Sequence, residues 1–327
     1  RINGTTFSVA VLTNLSRDHL DYHQDMDAYA AAKARLFFWP ELKHAVINMD
    51  DVLGVELSRQ LANKTTKIMG YGFRYPEAGC YSPHFKMLYG SNLKADIEGI
   101  EFDIDYEDYH EHLRIGLLGK FNASNLLAVI AILIASGIKL SDAVRALQHV
   151  QPIPGRMEKY GGINQPIIIV DYAHTPDALE KVLCTLREIL RATHQSKEKV
   201  AHNARLHCVV GCGGDRDKGK RAMVGAVATR LADAVIFTSD NPRSEEPMNI
   251  IKDIVEGVEA ENYQIEIDRA LAIYQAIDNA DSGDIVLIAG KGHEKFQEIK
   301  ELKIPFNDAE VALQVLKDLA IKVRGQK

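Results

Sequence analysis

Short apolar runs alternate with helical patterns near the N-terminal end of the chain. Runs rich in β-branched and aliphatic side chains occupy residues 7–13, 44–48 and 66–71. Between them, apolar residues recur at helical spacing over residues 25–38 and 52–61. Strands separated by helices in this way are typical of a mostly parallel sheet. The sequence therefore predicts a β-α-β-α-β arrangement in this region.

The pattern changes over residues 72–118, where glycine and proline punctuate alternating segments such as residues 100–106. Such alternation indicates antiparallel strands, and we interpret the region as a β insertion at the edge of the sheet. Helical patterns return at residues 121–136 and again after Ser141, which is predicted to cap a second helix ending near residue 149.

Pro152 and Pro154 mark the boundary between two predicted domains, residues 1–153 and residues 154–327. Beyond the boundary, five apolar runs alternate with helical segments, and an amphipathic helix at residues 310–321 follows them. The runs are IIIVD, LHCVVGC, DAVIFTS, YQIEI and DIVLIAG. This alternation predicts a doubly wound, Rossmann-like α/β domain.

The 327 residues include 39 Lys and Arg against 45 Asp and Glu, a formal net charge of −6. No basic field exists to neutralise phosphates, so duplex DNA and RNA are not expected as partners. The longest apolar run, residues 126–135, is shorter than the ~20 residues that span a bilayer, so no membrane segment is predicted. The 4 cysteines match neither a paired zinc motif nor a disulfide framework, which favours the cytoplasm. Because no Met or signal peptide opens the chain, we expect a truncated N-terminus.

Polar segments directly follow the predicted strands, at the edge where open α/β sheets bind ligands. One of them, GCGGDRDKGKR, combines glycines with the cations Arg216, Lys218, Lys220 and Arg221, which suits a carboxylate or phosphate. A tight turn before a helix that begins near Arg216, with a solvated basic rim, explains the same residues. The chain contains neither a G-x-x-x-x-G-K-[ST] phosphate loop nor a G-x-G-x-x-G fingerprint.

Six motifs follow one another in the order found in the amino-acid-adding Mur ligases, which the chain resembles. They are TNLSRDHLDYH, YAAAKARLF, VDYAHTPDA, GCGGDRDKGKR, SDNPRSEEP and AGKGHE. The resemblance covers essentially the whole chain and is closest to members that add 2,6-diaminopimelate. It implies a partial central ATP-binding domain and a C-terminal amino-acid-binding domain. The family's uridine-nucleotide domain, phosphate loop and acidic metal ligand precede the position of Arg1.

The resemblance implies an ATP- and Mg²⁺-dependent ligase of peptidoglycan precursor synthesis. In the family reaction, ATP phosphorylates the D-Glu carboxylate of UDP-N-acetylmuramoyl-L-alanyl-D-glutamate, and the amine of meso-diaminopimelate attacks the acyl phosphate. Each step needs charge neutralisation more than covalent help from the protein. We expect a monomer without nucleic-acid or membrane partners. Two alternatives stay open: a catalytically inactive fragment that binds diaminopimelate and part of the nucleotide, and a nucleotide-independent binding module.

The resemblance also implies roles for four residues of the first domain. His19 and Lys33 match a magnesium-binding histidine and a carbamylated lysine (N6-carboxylysine), whose added anion helps to bind Mg²⁺. Asn125 matches a nucleotide-contacting asparagine, and Arg1 matches an arginine that contacts the UDP-linked substrate. A loop histidine, a solvated helix lysine and a helix-capping asparagine are the ordinary alternatives.

Three residues of the second domain match the family's nucleotide-binding positions. Arg156 corresponds to an arginine that reaches the ATP phosphates, and Asp171 corresponds to a ribose-side or hinge carboxylate. His174 is expected beside the nucleotide. Interdomain salt bridges and a helix cap at Thr175 are alternatives that could coexist with these roles.

The tetrapeptide DNPR, residues 240–243, is the motif that the resemblance connects with diaminopimelate. Diaminopimelate differs from lysine by one extra carboxylate, to which a guanidinium offers two parallel hydrogen bonds. Family members that use lysine generally lack this arginine, so Arg243 is assigned as the selector. The other implied diaminopimelate contacts are Arg216, Asp240, Asn241, Pro242, Gly290 and Glu294. An Asn-Pro turn with a surface arginine is the alternative, and no role follows for His23 or Lys291.

Overall fold

A computed structural model describes residues 4–15, 25–74, 84–196 and 204–325. The chain divides into two compact units, Arg1–Gln151 and Pro152–Lys327. Within the described residues, no helix is long and apolar enough to cross a membrane.

The first unit is built on a six-stranded sheet whose strands lie side by side in chain order. The strands are β1 (Val9–Leu12), β2 (His44–Asn48), β3 (Lys67–Gly72), β4 (Phe85–Asp96), β5 (Gly99–Tyr106) and β6 (Tyr109–Ile115). The pairs from β1 to β4 are parallel, and the pairs from β4 to β6 are antiparallel. The predicted parallel sheet with an antiparallel β insertion at its edge is therefore confirmed.

Helices cover this sheet because their apolar faces pack against its buried strands. They are α1 (Met26–Ala34), α2 (Val52–Gln60), α3 (Lys120–Ala135) and α4 (Leu140–Leu147). The apolar helix α3 lies in the core beside β5 residues such as Phe102. The predicted cap at Ser141 is wrong, because Leu140 belongs to the buried face of α4 and the helix already begins there with Lys139 as its N-cap. The helix predicted over residues 25–38 tightens into a 3-10 helix at Arg35–Phe38.

The second unit contains a six-stranded sheet in the order β11-β10-β9-β12-β8-β7. Its strands are β7 (Glu158–Gly161), β8 (Ile167–Asp171), β9 (Leu206–Val210), β10 (Ala234–Phe237), β11 (Tyr263–Ile265) and β12 (Ile285–Ala289). The five predicted strands run parallel, whereas β7 is an antiparallel addition at the edge. A separate hairpin of β13 (Phe296–Ile299) and β14 (Leu302–Pro305) was not predicted from the sequence.

Five helices are described in the second unit. They are α5 (Pro176–Ser196), α6 (Gly219–Leu231), α7 (Pro247–Val255), α8 (Arg269–Asp278) and α9 (Asp308–Gly325). The Thr175 hydroxyl accepts a hydrogen bond from Ala178 N at 3.3 Å, so Thr175 does cap α5. Helix α6 begins at Gly219 rather than near Arg216, because residues 214–218 form the turn that precedes it. The chain after β8, β9, β10 and β12 emerges at one edge of the sheet.

Candidate functional site

A cavity of about 360 Å³ lies at the carboxyl edge of the second unit's sheet, where the segments that follow four of its strands meet. Ligands of open α/β sheets bind at this edge. Its lining residues are Tyr172, His174, Gly211, Cys212, Gly213, Arg216, Lys220, Asp240, Asn241, Arg243, Gly290 and Glu294. The structure therefore brings together most of the residues that the sequence assigned to amino-acid binding.

Arg243 is held in place before any ligand arrives. Its Nη1 donates to Gly214 O at 2.7 Å, and its Nε donates to Glu298 Oε2 at 3.0 Å. Its Nη2 makes no hydrogen bond with a residue in the described part of the chain. The backbone of Arg243 has φ +51°, in the left-handed region. The guanidinium is thus fixed by two bonds with donors left to bind a carboxylate.

The glycine-rich turn packs directly on the DNPR loop. A Cβ atom at Gly214 would lie 1.9 Å from Pro242 O, so only glycine allows this approach. Gly214 N donates to Asn241 O at 2.9 Å across the same contact. Pro242 is buried beneath the turn and supports the loop instead of lining the cavity.

Two further cations of the glycine-rich turn line the cavity. Arg216 is exposed and forms no ion pair with a described residue. Lys220 donates from Nζ to His174 O at 3.1 Å. Together with Arg243, they give one side of the cavity positive charge that suits an anion.

The other two cations of this motif, Lys218 and Arg221, do not line the cavity. Arg221 is 0% exposed and forms ion pairs with Glu245 and Asp253, each at 2.7 Å. Lys218 lies 3.4 Å from Glu245. Two of the four cations of this motif thus pair with carboxylates of the protein itself and do not line the cavity. Hydrogen bonds from Arg221 lower the pKa of Glu245 to about 2.

Two carboxyl groups give the cavity its acidic side. Burial raises the pKa of Asp240, whose side chain is almost fully enclosed. Burial also opposes ionisation of Glu294, but hydrogen bonds from Lys291 and Asn241 outweigh it and lower the pKa of Glu294. A Cβ at Gly290, where φ is +115°, would lie 2.9 Å from Asp240 Oδ2. The glycine therefore allows close approach to this carboxylate.

The side-chain amide of Asn241 is bound mainly by the protein. Its Oδ1 accepts from Lys291 Nζ and from Glu298 N, both at 2.9 Å, and its Nδ2 donates to Glu294 Oε2 at 2.8 Å. Lys291 is 0% exposed, and its Nζ also donates to Glu294 Oε2 at 2.9 Å. Sequence reasoning left Lys291 without a role, although its place directly after β12 in the AGKGHE motif was the available signal.

Three of the residues matched to nucleotide binding, Arg156, Asp171 and His174, lie together near the carboxyl end of β8. The Arg156 guanidinium lies 4.6 Å from the centre of the Tyr172 ring, and the His174 ring lies 4.7 Å from the same ring. The Asp171 carboxylate accepts from Met157 N at 2.8 Å and from Ala173 N at 2.7 Å. Burial raises the pKa of Asp171 despite these bonds. In this structure the carboxylate anchors the two segments that carry Arg156 and His174.

The candidate residues of the first unit are only partly covered by the structure. Lys33 is half-buried on α1, with Nζ 4.9 Å from the centre of the Tyr29 ring. Asn125 is exposed on α3 and donates to Asn122 Oδ1 at 3.3 Å. The predictions for Arg1, His19 and His23 lie outside the described residues. In the part of the chain that is described, no three His, Cys, Asp or Glu side chains form a group that could hold a metal ion.

Sequence reasoning also missed a buried ion pair behind the cavity. Arg269 donates from Nε to Asp308 at 2.7 Å and from Nη2 to Ala289 O at 3.0 Å, and both charged side chains are 0% exposed. Cys208 and Cys212 are buried, and burial raises the pKa of each thiol to about 12.

Both units are α/β in architecture, and the second sheet carries a mixed-charge cavity at its carboxyl edge, where open α/β sheets bind ligands. The family model described as "Mur ligase middle domain" matches residues 1–133. The model described as "Mur ligase, glutamate ligase domain" matches residues 155–292. The chain belongs to the Mur ligase family.

Similar proteins carry the name UDP-N-acetylmuramoyl-L-alanyl-D-glutamate–2,6-diaminopimelate ligase. The protein from Nitrosomonas europaea is 57% identical over 99% of this chain and 63% of its own length. The protein from Chromobacterium violaceum is 47% identical over 97% of this chain and 60% of its own length. A solved structure of a protein with this name is 36% identical, with a TM-score of 0.62, over 98% of this chain and 62% of that one. The chain thus spans under two thirds of these relatives.

Proposed function

We propose that the protein adds meso-2,6-diaminopimelate to UDP-N-acetylmuramoyl-L-alanyl-D-glutamate in peptidoglycan precursor synthesis, as the names of its relatives suggest. Mur ligases are ATP-dependent, and we propose ATP as the nucleotide and the cytoplasm as the compartment. The observation that carries the proposal is the mixed-charge cavity at the carboxyl edge of the second sheet. The curated relatives are named as ligases, which favours a ligase over an inactive binding fragment.

The cavity chemistry fits an amino acid with two carboxylates and two ammonium groups. Arg243 and Arg216 offer guanidinium groups to carboxylates, and both line the same space. Glu294 is held ionised on the acidic side and suits an ammonium group. Lysine has one carboxylate fewer, so it leaves one of the two arginines without a partner in the cavity.

The proposed reaction requires the amine of diaminopimelate to meet an activated D-Glu carboxylate. When bound, ATP supplies the phosphoryl group for that activation, and Mg²⁺ neutralises the phosphate charge. What the second unit contributes is orientation, since the fixed guanidinium of Arg243 and the fixed carboxylate of Glu294 hold the amino acid in one pose.

The remaining assignments follow from the family resemblance and belong to the same proposal. Asn125, Arg156 and His174 contact the nucleotide, and Asp171 fixes the two segments that carry Arg156 and His174 by its hydrogen bonds from Met157 N and Ala173 N. Lys33, in carbamylated form, and His19 are the proposed metal ligands. Arg1 contacts the UDP-linked substrate.

Calorimetric titration with meso-diaminopimelate, L-lysine and L-norleucine tests the amino-acid part of the proposal. We expect the order of affinity to be diaminopimelate, lysine, norleucine, because each step removes one charged group. A ligation assay on the protein expressed from its complete reading frame tests the reaction. Binding without any ligation there would favour the inactive fragment, and equal binding of all three amino acids would contradict the proposed substrate.

A further inference from the structure

Lys291 is a fully buried lysine at the back of the amino-acid cavity. Its Nζ lies 2.9 Å from Asn241 Oδ1, 2.9 Å from Glu294 Oε2 and 3.6 Å from Asp240 Oδ1. An ammonium group has three donors, and three cavity residues surround this one. Such complete enclosure is rare for lysine, because removing its charge from water is costly unless partners replace the water.

Two of the three partners of Lys291, Asn241 and Glu294, are also hydrogen-bonded to each other. Glu294 Oε2 accepts from both Lys291 Nζ and Asn241 Nδ2, while Asn241 Oδ1 accepts from Lys291 Nζ. The lysine, the amide and the carboxylate therefore form a closed triangle of hydrogen bonds. Because Oε2 takes both donors, Oε1 of Glu294 is the oxygen left for a ligand.

The charged groups around this triangle come from several elements. Asp240 follows β10, Arg243 follows the same strand, and Arg269 and Asp308 begin α8 and α9. Arg269 is paired with Asp308, and Arg243 is bonded to Glu298. Among the described residues, Lys291 is thus the cation that donates a hydrogen bond to Glu294.

We propose that Lys291 is a positioning residue for the amino-acid substrate: it fixes Asn241 and Glu294 and keeps the Glu294 carboxylate available to a ligand ammonium group. Lys291 is enclosed by protein and does not itself line the cavity. Its effect passes through Glu294. This inference rests on the proposed function, because it assumes that the cavity binds an amino acid.

A purely structural role for Lys291 makes a different prediction about pH. Without Lys291, Glu294 loses the hydrogen bond that helps to keep it ionised, so its pKa should rise and its carboxylate should protonate at a higher pH. Binding of an ammonium group would then fall as the pH is lowered. A residue that only supports the fold would weaken binding by the same factor at each pH.

The test is calorimetric titration of meso-diaminopimelate at pH 5.5 and pH 8 with the wild-type chain, Lys291→Met and the control Lys295→Met. Lys295 is exposed and lies four residues after Lys291 in the sequence. Lys295→Met therefore removes the same charge at a position outside the triangle. We expect Lys291→Met to weaken binding about tenfold or more, the scale for a hydrogen bond to a charged group, with a larger loss at pH 5.5. Lys295→Met should bind as the wild type does.

If a thermal melt shows that Lys291→Met is unfolded, the same titration is carried out with Lys291→Gln, which keeps a hydrogen-bond donor but not the charge. Wild-type affinity in the variant, or an equal loss at both pH values, overturns the positioning role alone. Unfolding of both variants also overturns it, since Lys291 would then serve the fold. If the folded wild-type chain binds no diaminopimelate, the proposed function fails, and this role fails with it.

Discussion

Two arginines of the GCGGDRDKGKR motif, Arg216 in the turn and Arg221 on α6, have opposite environments. Arg216 is exposed at the cavity without an ion pair to a described residue, whereas Arg221 is fully buried between Glu245 and Asp253. They lie in the same short motif and were both candidates for binding an anion. The difference shows that a cation in a motif is available to a ligand only if the fold has not already paired it.

The largest expected effect that separates these arginines is on stability. Arg221→Ala leaves Glu245 and Asp253 without their buried partner, and we expect it to lower the free energy of unfolding by about 3 kcal/mol. The figure is at the low end for a buried pair, because Asp253 is 36% exposed. Arg216→Ala should change stability by less than about 0.5 kcal/mol. Urea unfolding of both variants checks the difference, and similar losses would contradict the comparison.

The next effect concerns substrate selection by the cavity cations. Arg243→Ala should weaken diaminopimelate binding by about 1.5–3 kcal/mol, the range for hydrogen bonds to a charged group. Binding of lysine should suffer much less, because lysine lacks the second carboxylate. Competition titrations with both amino acids measure the ratio. Equal losses for the two ligands would refute the selector role. As a control, folded Arg221→Ala should keep the wild-type ratio of diaminopimelate affinity to lysine affinity.

The smallest effect is a pH dependence that belongs to the buried arginine only. The pKa of Glu245 is about 2 in the folded protein, below the usual 4.5 of a glutamate side chain. The ion pair therefore stabilises the fold fully above pH 4.5, and this contribution is lost as the pH falls towards 2. Unfolding free energies measured across this range should fall less steeply in Arg221→Ala than in wild type. An unchanged slope in the variant would mean that Arg221 does not depress the pKa of Glu245.

The central strands could be predicted from the sequence because they are short runs of apolar residues buried on both faces. Segments such as Ile167–Asp171 and Ile285–Ala289 have this character. The edge strand Glu158–Gly161 and the hairpin of β13 and β14 could not, because their residues are partly exposed and follow no clear apolar pattern.

The cavity residues could be proposed as ligand-binding residues because each of them follows a predicted strand. The family motifs then indicated which of these residues to assign to which ligand. The roles of Arg221, Arg269 and Lys291 could not be derived in this way. Whether a cation is buried depends on partners that are distant in the sequence, such as Asp308 for Arg269 and Asn241 for Lys291. Only the folded chain places these partners together.

The hairpin of β13 and β14 holds the DNPR loop along most of its length. Gln297 donates to Asp240 O, Glu298 N donates to Asn241 Oδ1, and Glu298 accepts from both the backbone and the guanidinium of Arg243. The conformation of Arg243, on which its proposed selector role depends, is therefore not determined by the tetrapeptide alone. A chimaera that receives only DNPR would lack the support that aims the arginine, so redesign of a related ligase should transplant the loop, the glycine-rich turn and the hairpin as one cassette.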